Sequence, residues 1–206
     1  GMYLISAGMN VFGDNPFGWR IVPDLAGILL VMLVYIFAKK LTLSRSAAII
    51  ASTLLSADFM HFMITRMASL ESTLAFFAIL SIFFLYCYAE ARRSGESFNA
   101  TLRYLLPCAL SIGLAISIKW SALYSLVTAL LVITYFEFVY NYRDSLQTKL
   151  ITILYICILF IVLPGSLYFS SYYSTVFYPF YKGSGINNFW SFVGSLQPVM
   201  YQFHTH

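Results

Sequence analysis

The chain has 206 residues, 60% hydrophobic and 18% aromatic, with twelve basic and eight acidic residues and a net charge of +4. That apolar fraction excludes a water-soluble domain, because a chain of this length has too little interior to hide it. The basic excess lies in short breaks between apolar runs, which excludes a nucleic-acid-binding face as its cause.

The first residues, Gly1-Met2-Tyr3-Leu4, lead into a mildly apolar stretch with no basic flank, so no cleavable signal is read there. A start at Gly1 and an end at Phe203-His204-Thr205-His206 suggest an internal piece of a longer protein. About 20 apolar residues are needed to cross a bilayer. Six stretches meet that need: Ile21 to Ala38, Ser46 to Ile64, Met67 to Ala89, Tyr104 to Ile118, Trp120 to Phe138, and Leu150 to Ser170. As one helix, Tyr104 to Tyr140 would run about 55 Å, against a hydrocarbon core of about 30 Å. Arg103 precedes this stretch and Arg143 and Lys149 follow it, so both flanks share one face only if it crosses twice. The turn is expected at Lys119-Trp120, its one strongly polar interruption. The predicted fold is therefore all-α, a polytopic membrane bundle of about six transmembrane helices. Residues 1–170 form its helical domain, as part of a larger one. Residues 171–206 mix Tyr, Trp, Pro and Gly and are expected to form an aromatic-rich loop at the outer face.

With six spans, Lys39, Lys40, Arg45, Arg92, Arg93, Arg103, Arg143 and Lys149 share the cytoplasmic side. Arg20, Arg66, Lys119 and Lys182 share the other. The sequon Asn99-Ala100-Thr101 then lies inside, where it is not glycosylated. Paired cations such as Lys39, Lys40, Arg92 and Arg93 read as anchors that snorkel to water. Arg20, Arg66 and Lys119 stand apart, each alone on the outer side with acids or aromatics nearby. Two readings stay open for them: helix-end anchors, or three cations converging on a phosphate at the membrane surface. Asp58 and Glu71 bracket Arg66. They read either as structural partners, with an Arg66–Glu71 ion pair, or as acids for general-base work. His61 reads as an interfacial histidine. His204 and His206 share a face if extended but have no third ligand nearby, so no metal site is expected. Cys87, Cys108 and Cys157 lie inside apolar runs and read as small packing residues.

Several strings resemble motifs of the protein O-mannosyltransferases, polytopic glycosyltransferases that use lipid-linked sugars. Phe17-Gly18-Trp19-Arg20-Ile21-Val22-Pro23 with Gly27 is similar to the motif after the family's first luminal loop. Asp58-Phe59-Met60-His61-Phe62, then Thr65-Arg66 and Leu70-Glu71-Ser72, resembles an acid followed by Ser-Arg and Leu-Leu-Asp. Thr65 stands for the usual Ser and Glu71 for the usual Asp. Gly113 with Lys119-Trp120 is similar to a Gly…Lys-Trp element, and Met200 to His206 to the Met-Tyr-x-Phe-His segment of short, prokaryote-type members.

The resemblance implies transfer of mannose from polyprenyl- or dolichyl-phosphate mannose to a Ser or Thr hydroxyl of a protein, with inversion. It implies Arg20, Arg66 and Lys119 for donor-phosphate or acceptor binding. Asp58, Glu71, Trp120 and His204 would support them. The family's acidic pair, its expected catalytic group, would lie upstream of Gly1, so this piece alone is expected to be inactive. No cofactor is expected. The implied partners are the lipid donor, a Ser/Thr-containing acceptor protein and the bilayer, with no nucleic acid and with a dimer left open. The implied location is the plasma membrane in a prokaryote or the endoplasmic reticulum membrane in a eukaryote. The alternatives are a sibling transferase acting on lipid or cell-wall glycan, and an anion transporter or channel lined by the same three cations.

Overall fold

The computed structural model describes residues 2–67, 69–140, 146–171 and 194, and every described element is helical. In chain order these are α1 (Met2–Phe12), α2 (Pro16–Thr42), α3 (Arg45–Ala57), α4 (Phe59–Arg66), α5 (Glu71–Arg93), α6 (Phe98–Ile118), α7 (Leu123–Thr134), α8 (Leu146–Cys157) and α9 (Leu163–Ser170). A 3₁₀ turn, Trp120–Ala122, leads into α7, and π-helical runs Tyr135–Tyr140 and Ile158–Val162 follow α7 and α8. Among the described residues, five continuous runs are long and apolar enough to cross a membrane: Pro16–Thr42, Glu71–Arg93, Phe98–Ile118, Trp120–Tyr140 and Lys149–Ser170. The chain is thus a multi-pass membrane protein of the all-α class.

The second predicted span differs from expectation. Ser46 to Ile64 is not one helix but the pair α3 and α4, bent by 58°. The cause is Asp58, whose backbone is extended and whose carboxylate accepts the His61 N–H at 2.7 Å. An aspartate that caps a new helix offers the backbone an alternative to continuing the old one. Counted as one broken span, this pair makes the sixth. The predicted break at Lys119 is present. Lys119 is extended, and the Ala122 N–H returns to its carbonyl at 3.1 Å to start the turn into α7.

The chain divides into two compact units, Gly1–Gly165 and Ser166–His206. In the second, the described part ends α9, where the Ser171 hydroxyl donates to the Tyr168 carbonyl at 2.6 Å. The remaining description concerns the first unit. The expected outer loop, with Lys182, His204 and His206, lies outside the described residues, as does Arg143.

Polar contacts fix the directions of the helices. Lys40 pairs with Glu90, joining the C-terminal ends of α2 and α5. The Ser72 hydroxyl donates to the Pro23 carbonyl at 3.1 Å, joining their N-terminal ends. α2 and α5 therefore run side by side in the same direction. Gly95, with φ of 82°, closes α5, and Glu96 N–H reaches the Ala91 carbonyl at 3.1 Å, the bond pattern that caps a helix and reverses the chain. α6 then returns antiparallel to α5. Lys119, the residue that follows α6, meets Glu71 at 2.7 Å at the start of α5. One end of the bundle thus carries Arg20, Asp24, Arg66, Glu71 and Lys119. The other carries Lys40, Glu90, Arg92, Glu96, Arg103 and Glu137. The alternation of charge along the chain is an alternation between two ends in space.

The core is built where α5, α6 and α7 meet. Tyr88, Leu105, Cys108, Ala109, Ile112 and Ile133 are fully buried there, joined by Phe160. Alanines and Cys108 let α5 and α6 approach closely, the device membrane helices use when lipid is as apolar as leucine. Cys87 and Cys108 are buried free thiols, and Cys157 is half-buried. The large apolar residues of α2 that face away from the core, Ile28, Leu29, Met32 and Ile36, are exposed. In a bilayer that face meets acyl chains.

Arg92 corrects the reading of the paired cations as anchors. It is only 7% exposed and is bound to Glu137, which is 4% exposed. Arg92 Nε lies 2.7 Å from Glu137 Oε1 and Nη2 donates to Oε2 at 2.9 Å. The Tyr88 hydroxyl donates to the same carboxylate at 2.6 Å. Arg93 instead lies over the Phe136 ring.

Candidate functional site

Arg20 and Asp24 stand four residues apart on α2, so they share a face one turn from each other. Asn15 starts that helix by accepting the N–H groups of Phe17 at 3.0 Å and Gly18 at 2.9 Å. Trp19 is turned back to Asp14, its indole N–H donating at 2.7 Å. Arg66 ends α4 and lies 4.8 Å over the ring of Phe62. Pro16, Phe17, Arg20, Asp24 and Arg66 together line a concavity of about 530 Å³.

A second concavity of about 410 Å³ shares Asp24 and Arg66 with the first and continues past Gly27, Ile28 and Val31 of α2 toward Ser56, His61, Phe62 and Thr65. Positions 24, 27, 28 and 31 follow the helical repeat, so this groove runs about 10 Å along one face of α2. Its head is charged and its body is mostly apolar. The carboxylate of Asp24 lies within electrostatic reach of both Arg66 and Arg20. None of the ion pairs within 4.0 Å among the described residues includes Arg20, Asp24 or Arg66. Their charges remain available to the groove.

Gly27 makes this arrangement geometrically possible. A Cβ built there would overlap the Cγ2 methyl of Thr65 and sit 3.1 Å from its Cβ. Gly27 therefore lets α4 lie against α2, which holds Arg66 near Arg20. Gly27→Ala should destabilise the fold by about 1–3 kcal/mol, because a β-branched side chain cannot swing clear of the new methyl. Thr65→Ser removes the colliding methyl, so the double variant should recover a large share of the loss. Thermal unfolding in detergent reads this, and simple additivity of the two changes would refute the contact.

The structure places the other expected site residues as follows. Glu71 does not pair with Arg66; it pairs with Lys119, correcting the first reading of that acid. The reason is the return of α6, which brings Lys119 from 48 residues away to the first turn of α5. Both side chains are partly exposed, so the pair is worth about 0.2–1 kcal/mol. Lys119 lines neither of the two concavities, and Trp120 opens the 3₁₀ turn beside it. Asp58 caps α4 two turns before Arg66. His61 lines the second concavity. His204 lies outside the described residues. Among the described residues no group of three or more His, Cys, Asp and Glu is placed to hold a metal ion.

Two residues carry more than the sequence reading assigned them. Asp24 is at the centre of the charged head, and its signal was the Arg20-to-Asp24 helical spacing inside an apolar span. Glu137 is the lone acid of its predicted span, which by itself marks a partner or a site.

Residues 2–176 match the profile of dolichyl-phosphate-mannose-protein mannosyltransferase. The chain is 38% identical over 79 residues to a polyprenol-phosphate-mannose-protein mannosyltransferase of Mycobacterium tuberculosis, covering 38% of this chain and 15% of that protein. It is 29% identical over 139 residues to a protein of the same name from Mycolicibacterium smegmatis, covering 60% of this chain and 27% of that one. An uncharacterized protein of Aquifex aeolicus is 33% identical over 91 residues, covering 44% of this chain and 18% of its own length. The chain thus spans between 15% and 27% of the length of these relatives. No solved structure matches it. With that match over most of its length, in a helical membrane bundle, the chain belongs to the dolichyl-phosphate-mannose-protein mannosyltransferase family.

Proposed function

We propose that this chain forms the donor-binding part of a membrane glycosyltransferase that moves mannose from a polyprenyl- or dolichyl-phosphate mannose to Ser or Thr hydroxyls of a protein. The observation that carries this reading is the groove along α2, with Arg20 and Arg66 at its head and Gly27, Ile28 and Val31 along its body. A lipid-linked sugar phosphate has the same layout: one anionic group at the membrane boundary and a hydrocarbon tail entering the bilayer.

In the reaction, the bond from the sugar C1 to the phosphate oxygen breaks and its electron pair stays on that oxygen. The acceptor hydroxyl oxygen bonds to C1 from the opposite side, and its proton passes to a base. Arg20 and Arg66 stabilise the charge that grows on the departing phosphate, a role that is strongest in a water-poor site. Lys119 is held by Glu71 at the same end as a neutral pair, and Asp58 sets the direction of the helix that presents Arg66. No residue of this chain is assigned as the base. The distribution of cations supports an outer or luminal placement of this end. The membrane is then the plasma membrane in a prokaryote or the endoplasmic reticulum membrane in a eukaryote.

A polyprenyl-phosphate mannose carrying a photoactivatable group in its first isoprene units should crosslink to α2 between Asp24 and Val31 in nanodiscs. Millimolar inorganic phosphate should not displace it. Displacement by inorganic phosphate alone would favour an anion path, and crosslinks confined to α7 or α8 would move the donor elsewhere. Labelling of a Leu43→Cys variant by an impermeant reagent from outside would reverse the orientation; Leu43 is 91% exposed between α2 and α3.

A further inference from the structure

The charged head of the groove is unusual in holding an acid. Arg20 and Arg66 supply two positive charges, and Asp24 lies between the two concavities and touches both. The arginines and the carboxylate that line the two concavities sum to a formal charge of +1. The neighbouring Lys119–Glu71 pair adds no net charge. A site meant only to hold phosphate as tightly as possible would gain nothing from that carboxylate.

The charges of donor and product differ. A sugar phosphodiester carries one negative charge. The monoester left after transfer carries about 1.5 to 2 at pH 7, because its second ionisation falls near pH 6. A head of +1 matches the first and falls short of the second. We infer that Asp24 is a specificity residue that sets the charge of this site to that of the phosphodiester donor, so that the polyprenyl-phosphate monoester product is weakened more than the donor and is released more readily. This rests on the donor-binding reading of the groove. Asp24 does not act on the reacting atoms; it works through the field at the phosphate, beside the two arginines.

The prediction is a change in discrimination, not only in strength. Removing one negative charge about 6 Å from the phosphorus tightens a singly charged ligand about 3-fold, even at the dielectric constant of water, and a doubly charged one about 10-fold. Asp24→Asn should therefore shift the ratio of monoester to diester affinity about 3-fold or more toward the monoester. Asp24→Glu keeps the charge and should keep the parent ratio.

The probes are a C15 polyprenyl phosphate and its mannose diester, titrated at one pH and low salt against the protein in nanodiscs. Arg20→Ala serves as the control for the site. If both lipids bind in an Arg20-dependent way and Asp24→Asn leaves the ratio unchanged, or weakens both alike, Asp24 only orients the arginines and the inference fails alone. If neither lipid binds in an Arg20-dependent way, the donor-binding reading fails and takes the inference with it. A ratio shifted toward the monoester in Asp24→Asn and restored in Asp24→Glu supports it.

Discussion

On the proposed function, Arg20→Ala should lower mannosyl transfer about 10- to 150-fold, while Lys40→Ala should stay within about 3-fold. The contrast comes from placement. Arg20 lies at the head of the groove and has no ion-pair partner within 4.0 Å among the described residues. A charge-assisted contact to phosphate contributes about 1.5–3 kcal/mol, and each 1.36 kcal/mol is tenfold in rate. Lys40 sits at the opposite end of the bundle, bound to Glu90 on a partly exposed surface. Its pair is worth a fraction of that and is remote from the groove. Transfer of radiolabelled mannose to a Ser/Thr peptide, at matched protein levels, distinguishes the two. Similar rates for both variants would reduce Arg20 to a membrane anchor.

Glu137→Ala should produce the largest loss of stability of any single change at the end of the bundle that carries Lys40 and Glu90, about 3–5 kcal/mol. It leaves the Arg92 guanidinium, 7% exposed, without the carboxylate that balances it, and removes the acceptor of the Tyr88 hydroxyl. A buried charge stripped of its partner costs far more than the intact pair contributed, because its desolvation is no longer offset. For a chain of this size that corresponds to about 6–20 °C in unfolding temperature. Replacing both residues together, Arg92→Met with Glu137→Leu, should cost much less, since no charge is then left behind. Glu96→Ala is the matching surface control: its pair with Arg103 is 2.8 Å long but exposed, and should be worth about 1 kcal/mol or less. Thermal unfolding in detergent measures all three. If Glu137→Ala and Glu96→Ala melt together, the buried cluster does not hold the bundle.

The pair Arg92–Glu137 also shows what a linear reading cannot supply. Arg92 beside Arg93 at a span boundary has the pattern of a snorkelling anchor, and nothing local separates the two. Their fates diverge because α7 returns to that end and its π-helical run carries Glu137 inward, to Arg92 and not to Arg93. The same limit applies to Glu71. Its nearest cation along the chain is Arg66, yet its partner comes from 48 residues away.

By itself, the sequence determined the class, the spans and the two charged ends. Those depend on local quantities: run length against bilayer thickness, the polar interruption at Lys119, and the sign of charge at each break. It also marked Gly27 and Thr65-Arg66 as parts of motifs, without giving their reason. Only the tertiary structure decided which charges share a site. It bent the second span at Asp58 and seated Thr65 on Gly27. It brought Arg66 to Arg20 and Asp24, and engaged Lys119 with Glu71. Membrane helices carry their hydrophobic signal all round, so their periodicity is weak. The faces that meet are selected by close packing and by the few polar groups that must find partners away from water.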